Sequence, residues 1–180
     1  DAYAEIAKEM IEKSMADVIM GCGHPLYDTD GKKLAEEKTP DYRYVGGEEL
    51  WKAVLEGKEF ADADGDGKPD AWFVVQSLDE FKKLMKGDAP KRLLGVAQVF
   101  ATLQQGRSGD AKAEPFAVPL TETVPTLNEM ATGAINVLDA DPDGFVLMIE
   151  GGAVDWACHA NQTGRMIEEE LGFVKAVETV

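Results

Sequence analysis

Two periodicities of apolar residues alternate along this chain. Over 3–17, Ile6, Met10 and either Ser14 or Met15 recur at helical spacing among charged positions, which predicts an amphipathic helix. Asp17-Val18-Ile19-Met20, running into Gly21-Cys22-Gly23, predicts a short buried strand that ends in a tight turn. From His24 to Tyr44 the pattern is polar and turn-rich, with Asp28-Thr29-Asp30-Gly31 a turn and Lys32 to Lys38 a short surface helix. Glu48 to Glu56 predicts a second helix that buries Leu50, Val54 and Trp51 and stops at Gly57.

Trp72-Phe73-Val74-Val75 and Arg92 to Ala97 are strand candidates, whereas Gln104 to Pro119 has the small, charged and proline content of a loop. Ser77 with Glu80, and Thr126 with Glu129, have the spacing of a capping box, in which the hydroxyl accepts a backbone N–H and the glutamate returns to the cap N–H. Helices are therefore expected over 78–86, ended by Gly87, and from Leu127 onward, with Met130, Ala134, Val137 and Leu138 on the buried face. After the turn Asp141-Pro142-Asp143-Gly144, every residue from Phe145 to Ile149 is apolar, the pattern of a central strand covered on both faces. Helical spacing returns near Val154 and continues through Met166, Leu171 and Val177 with no stop before Val180. Strands alternating with helices define the fold class as α/β, a mostly parallel sheet flanked by helices. Ligands in such sheets gather beyond the carboxyl ends of the strands.

Composition narrows the function classes. In 180 residues there are 18 Lys+Arg against 34 Asp+Glu, a net charge of −16, and no basic patch is segregated, so nucleic acid and anionic membranes are poor partners. No apolar run is long enough to span a bilayer, and no charged-then-apolar leader opens the chain. The 44% of hydrophobic residues supports a real core. Cys22 and Cys158 form neither a CxxC pair nor a disulfide framework; Cys22 reads as a small buried thiol and Cys158 as a packing residue beside His159. His24 reads as a structural hydrogen-bonding residue, and Trp51, Trp72 and Trp156 as core or rim packing.

Two clusters could carry chemistry. Glu150 ends the most apolar segment, Asp155 follows five residues later and His159 four after that, so the last two share a helix face. Gly151 and Gly152 would turn the backbone tightly and let all three face one pocket. Carboxylate oxygen with imidazole nitrogen suits zinc, manganese or iron, while magnesium prefers oxygens alone. A glutamate directly after five apolar residues is expected near the interior unless paired; otherwise Glu150 caps the following helix or pairs with Arg165. The second cluster is an acidic loop in which Asp62, Asp64, Asp66 and Asp70 stand at positions one, three, five and nine, with Gly67 at six. Alternating hard oxygens suit Ca²⁺, although position twelve is Phe73 and not Glu, so the full EF-hand pattern fails. A solvated acidic turn is the other reading.

The run from Gly144 to Asn161, through Glu150-Gly151-Gly152, Asp155 and His159, is similar at every ligand position to a strand–turn–helix segment of the bacterial alkaline phosphatases, two-zinc, one-magnesium phosphomonoesterases. Asp17 to Gly23, Arg92 to Gly95 and Thr126 to Met130 extend the resemblance over most of the chain, with 58–70 an insertion inside one partial domain, 1–180. The resemblance implies that Glu150 serves a Mg²⁺ site, and that Asp155 and His159 hold the Zn²⁺ that engages substrate phosphate and activates water. It implies a seryl nucleophile, a phosphoserine intermediate and a periplasmic or extracellular parent, and leaves a homodimer open. Ser14, Ser77 and Ser108 lack the family's nucleophile context, and the remaining ligands match regions before residue 1 or after residue 180. The chain is thus expected to be an inactive portion of a phosphate monoester hydrolase whose partner is the remainder of its parent chain. The alternative is a calcium-binding structural or interaction module, and the wider superfamily leaves phosphodiesters, sulfates and phosphonates open as substrates.

Overall fold

The computed structural model describes residues 2–180. Helix α1 (Tyr3–Lys13) leads into strand β1 (Val18–Gly21); then come α2 (Glu48–Leu55), β2 (Phe73–Val75), α3 (Leu78–Leu84), β3 (Leu93–Val96), α4 (Leu127–Leu138), α5 (Ala153–His159) and α6 (Thr163–Val177). The sheet has the order β1-β3-β2, and both pairings are parallel, with Val18 and Phe73 both opposite Leu93. The chain is accordingly α/β, as its alternating periodicities predict.

Side chains leave alternate faces of each strand, and the two faces are covered by different helices. Leu93, Val75, Val18 and Met20 join Phe81 and Leu84 of α3 and Met130 and Val137 of α4 in one core. Leu94, Val96, Ile19 and Val74 meet Ile11 of α1 and Leu50, Trp51 and Val54 of α2 in the other. Central β3 is buried at all four positions, whereas β1 is only half-buried.

Both capping boxes form. The Ser77 hydroxyl accepts from Glu80 N–H while Glu80 Oε2 accepts from Ser77 N–H at 2.8 Å, and Thr126 and Glu129 repeat the arrangement. Other expectations are corrected. The first helix ends at Lys13 because the buried Arg92 guanidinium draws the carbonyls of Ser14 (2.6 Å) and Ala16 (3.3 Å) away from helical partners. Arg92 also takes the carbonyls of Ala61 and Asp70 and stacks on Trp72, which fastens the base of the acidic loop to the sheet. Residues 32–38 are not a helix: Asp28 Oδ1 accepts from Asp30 and Lys32 N–H, closing a turn that returns Leu34 N–H to Leu26 O at 2.8 Å.

The largest departure lies at 145–149. These residues pair with no strand, and Val146 and Met148 are 97% and 78% exposed. Apolar continuity marks a segment fit for two-sided burial, but a strand also needs a neighbour for its backbone, and none stands beside this one among the described residues. The helix expected from 154 onward is two helices. Asn161 adopts the left-handed conformation (φ 54°), its N–H returning to Cys158 O, and so caps α5 before α6 begins.

Phe81 is fully buried where α3, α4 and the sheet converge. Phe81→Ala is expected to destabilise the chain by about 3–5 kcal/mol in urea unfolding, and a loss below about 1 kcal/mol would contradict this core assignment.

Candidate functional site

Helix α5 is held by its buried residue, Ala157, and presents its opposite side to solvent. Four-residue spacing brings Asp155 Oδ1 and His159 Nε2 within 3.5 Å on that side, with their side chains 71% and 82% exposed. They border an open depression with Gln105, Trp156 and Ala160. Gln105 Nε2 donates to Gln162 Oε1 at 2.8 Å, tying the loop before α4 to the α5–α6 junction. An oxygen and an imidazole nitrogen side by side, free to swivel and open to solvent, form a donor pair that suits zinc.

The position of this helix pair depends on buried charges that the sequence reading did not identify. Arg107 and Arg165, 5% and 3% exposed, face the carboxylate of Glu168, 8% exposed. Arg107 reaches Glu168 Oε2 at 2.7 Å and the carbonyls of Gln104, Val118 and Pro119; Arg165 takes those of Gln104, Arg107 and Ser108. Glu168 Oε1 accepts from Phe116 N–H at 2.7 Å, holding Phe116 at a φ of 62° that side chains otherwise avoid. The 104–121 loop thus closes onto α6, so tightly that a Cβ on Gly164 would collide with the carbonyl oxygen of Ala113. Arg165 donates to carbonyls 57 to 61 residues away and Arg107 to a carboxylate 61 residues away, so no local spacing announces the cluster.

Glu150 lies elsewhere. It is exposed, and it lines a mainly apolar cavity of about 620 Å³ with Met20, Cys22, Met130 and Phe173. Among the described residues no compact metal-ligand group joins Glu150 to Asp155 and His159. Neither alternative role for Glu150 is realised: Gly152 caps α5 without a side-chain bond, and Arg165 is committed to loop carbonyls. The glycines do not make a left-handed turn. Gly152 has φ −57°, and Gly151 instead makes room for Phe173, whose ring would lie 2.9 Å from a Cβ there. Glu169, facing the same cavity, has a buried Oε1 with no hydrogen-bond partner, and burial raises its pKa despite nearby Arg107 and Arg165. Burial, reinforced by the Glu169 charge, pushes the Cys22 thiol up to about 12.

In the acidic loop, carboxylate oxygens of Asp62, Asp64 and Asp70 lie within 4.8 Å of one another, and Asp66 is not part of this group. Asp62 accepts from Gly65 and Gly67 N–H, Asp70 from Ala63 N–H, and Asp64 from Asp66 N–H and from Lys91 Nζ at 3.3 Å. His24 is buried and structural: Nδ1 accepts from Leu26 N–H, so Nε2–H donates to Gln76 Oε1 at 2.8 Å, and burial lowers its pKa.

The α/β sheet and the exposed carboxylate–imidazole pair on α5 give the architecture and a donor pair, and sequence comparison gives the family. The sequence model of the family described as alkaline phosphatase matches residues 1–180, and the chain belongs to that family. It is 28% identical over 174 residues to the tissue-nonspecific alkaline phosphatase isozyme of Gallus gallus, covering 96% of this chain and 30% of that protein. It is 27% identical over 173 residues to the repressible alkaline phosphatase of Saccharomyces cerevisiae, covering 92% and 26%. A shorter match, 44% over 57 residues, covers 31% of this chain and 12% of alkaline phosphatase 3 of Bacillus subtilis. The chain therefore spans less than a third of the length of these relatives. No helix among the described residues is long and apolar enough to cross a membrane.

A carboxyl whose folded pKa lies above its unfolded value holds its proton more tightly in the native state. Stability is therefore lost as pH rises from the ordinary carboxylate value through the raised one. Glu169→Gln should raise the unfolding midpoint at pH 7 to 8 and leave it nearly unchanged near pH 4; an equal shift at both pH values would show that Glu169 is not a buried titrating acid.

Proposed function

We propose that residues 1–180 are one portion of a longer metal-dependent phosphomonoesterase, and that Asp155 and His159 supply two ligands to a zinc ion at its active site. The observation that carries this reading is the exposed Asp155–His159 pair, 3.5 Å apart on α5, directly after Glu150-Gly151-Gly152 in a chain of the alkaline phosphatase family. When bound, zinc offsets phosphoryl charge and lowers the pKa of water. Asp155 would contribute an anionic oxygen and His159 a ring nitrogen to one shared position. Glu150 would serve a separate magnesium site, consistent with its all-oxygen chemistry and its distinct place in the structure.

None of Ser14, Ser77 and Ser108 lines the depression beside this pair, so the nucleophile is assigned to the remainder of the parent chain. The substrate proposed is a phosphate monoester, and the parent, by analogy with its family, works in the periplasm or outside the cell. A chain extended on both sides from its own gene is expected to gain zinc-dependent hydrolysis of a chromogenic phosphate monoester. His159→Ala should then lower kcat/KM at least ~100-fold, the upper end of what even outer-shell metal partners contribute. Residues 1–180 alone should not turn over; a kcat of roughly 1 s⁻¹ or more from them would refute the reading.

A second ion site is favoured by the convergence of Asp62, Asp64 and Asp70, where calcium would displace Lys91 and steady the loop between the fastened ends at Ala61 and Asp70. Calorimetry at millimolar Ca²⁺ should show binding that Asp62→Asn abolishes. No heat and no gain in thermal stability would leave a solvated acidic turn.

A further inference from the structure

Of the three tryptophans in the chain, two are fully engaged. Trp51 and Trp72 are 2% and 4% exposed; Trp51 meets the His24 ring edge-on, and Trp72 donates Nε1–H to Ile11 O at 3.0 Å while Arg92 stacks on its face. Trp156 is 47% exposed. Among the described residues no aromatic ring or cation stacks on it, and its Nε1–H has no protein acceptor. Covering such a ring with another planar group is favourable, and the exposed position leaves that gain unrealised.

The surroundings of Trp156 decide what it would touch. Helical rotation sets Trp156 and Ala160 as the row beside Asp155 and His159, and these four residues line the open depression together with Gln105. Gln105, tied to Gln162 at 2.8 Å, fixes the loop side of the same wall. No Lys or Arg is among these lining residues, so the depression offers an aromatic face, a methyl group and an amide beside the Asp155 carboxylate.

We propose that Trp156 forms the leaving-group subsite of the Asp155–His159 centre and selects phosphate monoesters whose leaving group is an uncharged planar ring system, an aryl alcohol or a nucleoside. With the phosphoryl group at the position that Asp155 and His159 share, the ring lies over the indole, and Nε1–H is free to donate to an oxygen on it. An aliphatic leaving group brings no planar face to cover the indole, and a polyanionic one meets Asp155 with no neighbouring Lys or Arg to offset the repulsion. Trp156 is thus a specificity residue that takes no part in proton or phosphoryl transfer. The inference rests on the zinc hydrolase reading of the Asp155–His159 pair for its substrate class.

The extended, zinc-loaded chain tests it by binding as well as by turnover. In calorimetry with two phosphonates that are not hydrolysed, Trp156→Ala should weaken phenylphosphonate about 3- to 10-fold, what one aromatic pair contributes, and leave methylphosphonate unchanged. The same selective loss is expected in kcat/KM for phenyl phosphate or adenosine monophosphate against glycerol phosphate, and whichever aromatic ester falls further assigns the subsite to an aryl group or a nucleobase. Trp156→Phe should retain the preference, whereas Trp156→Leu, which keeps apolar bulk without an aromatic face, should lose it; these two variants decide the matter on their own if the alanine variant does not fold. Equal losses for aromatic and aliphatic ligands, or no change for either, would overturn the subsite and leave the zinc reading standing. Selective weakening of phenylphosphonate in a chain that turns over no phosphate monoester would refute the phosphatase reading and keep the aromatic subsite.

Discussion

The geometry of the candidate site depends on one buried electrostatic arrangement, two guanidinium groups and a carboxylate enclosed between α6 and the 104–121 loop. Desolvating charges is expensive, and the Arg107–Glu168 contact at 2.7 Å would not offset that cost alone. Five different backbone carbonyls and one backbone N–H complete the coordination of these groups. A loop of about eighteen residues with no secondary structure is thereby given fixed hydrogen-bond partners. Removing Glu168 would leave two like charges buried together, so this is where the loop, α6 and, through Gln105 and Gln162, the α5 junction hold or fail as a unit.

That arrangement explains why α5 projects Asp155 and His159 into solvent rather than packing them. Its inward side is occupied by Ala157, small enough for α6 to lie close, and Gly164 allows the loop backbone to approach from the other direction. Exposed ion pairs contribute little to stability, so the Asp155–His159 contact has no structural task large enough to account for it. The residues that make the fold and the residues proposed to make the chemistry are thus separate sets. Loss of one need not perturb the other.

Local patterns were legible in the amino-acid sequence to the extent that their partners were close in sequence. Ser77 with Glu80 and Thr126 with Glu129 complete their bonds within one turn, and the Asp155–His159 pair follows from helical spacing alone. Arg92, Arg107 and Arg165 were opaque for the opposite reason. Arg92 is satisfied by carbonyls up to 78 residues away and Arg165 by carbonyls 57 to 61 away, the carboxylate partner of Arg107 is 61 away, and a carbonyl carries no residue identity that a reader could recognise. Asn161 misled because the apolar period resumes on the same register after it, hiding a left-handed cap inside what reads as one helix.

Phe145 to Ile149 show a different boundary between pattern and structure. Binary pattern encodes which surfaces want burial, but the backbone of a parallel strand is satisfied only by neighbours that lie far away in sequence. With β1 open on one side and 145–149 unpaired on the other, side-chain preference and backbone pairing point in different directions across the same cavity. Glu150 inherits the conflict. A carboxylate at the end of a two-sided apolar strand would be delivered to a fixed position at the carboxyl edge of a sheet, whereas at the end of an unpaired segment it remains exposed and apart from Asp155 and His159. The exposed position of Glu150 and the unpaired backbone of Phe145 to Ile149 are therefore linked, because these five residues, which lack a strand neighbour among the described residues, set the position of the glutamate that follows them.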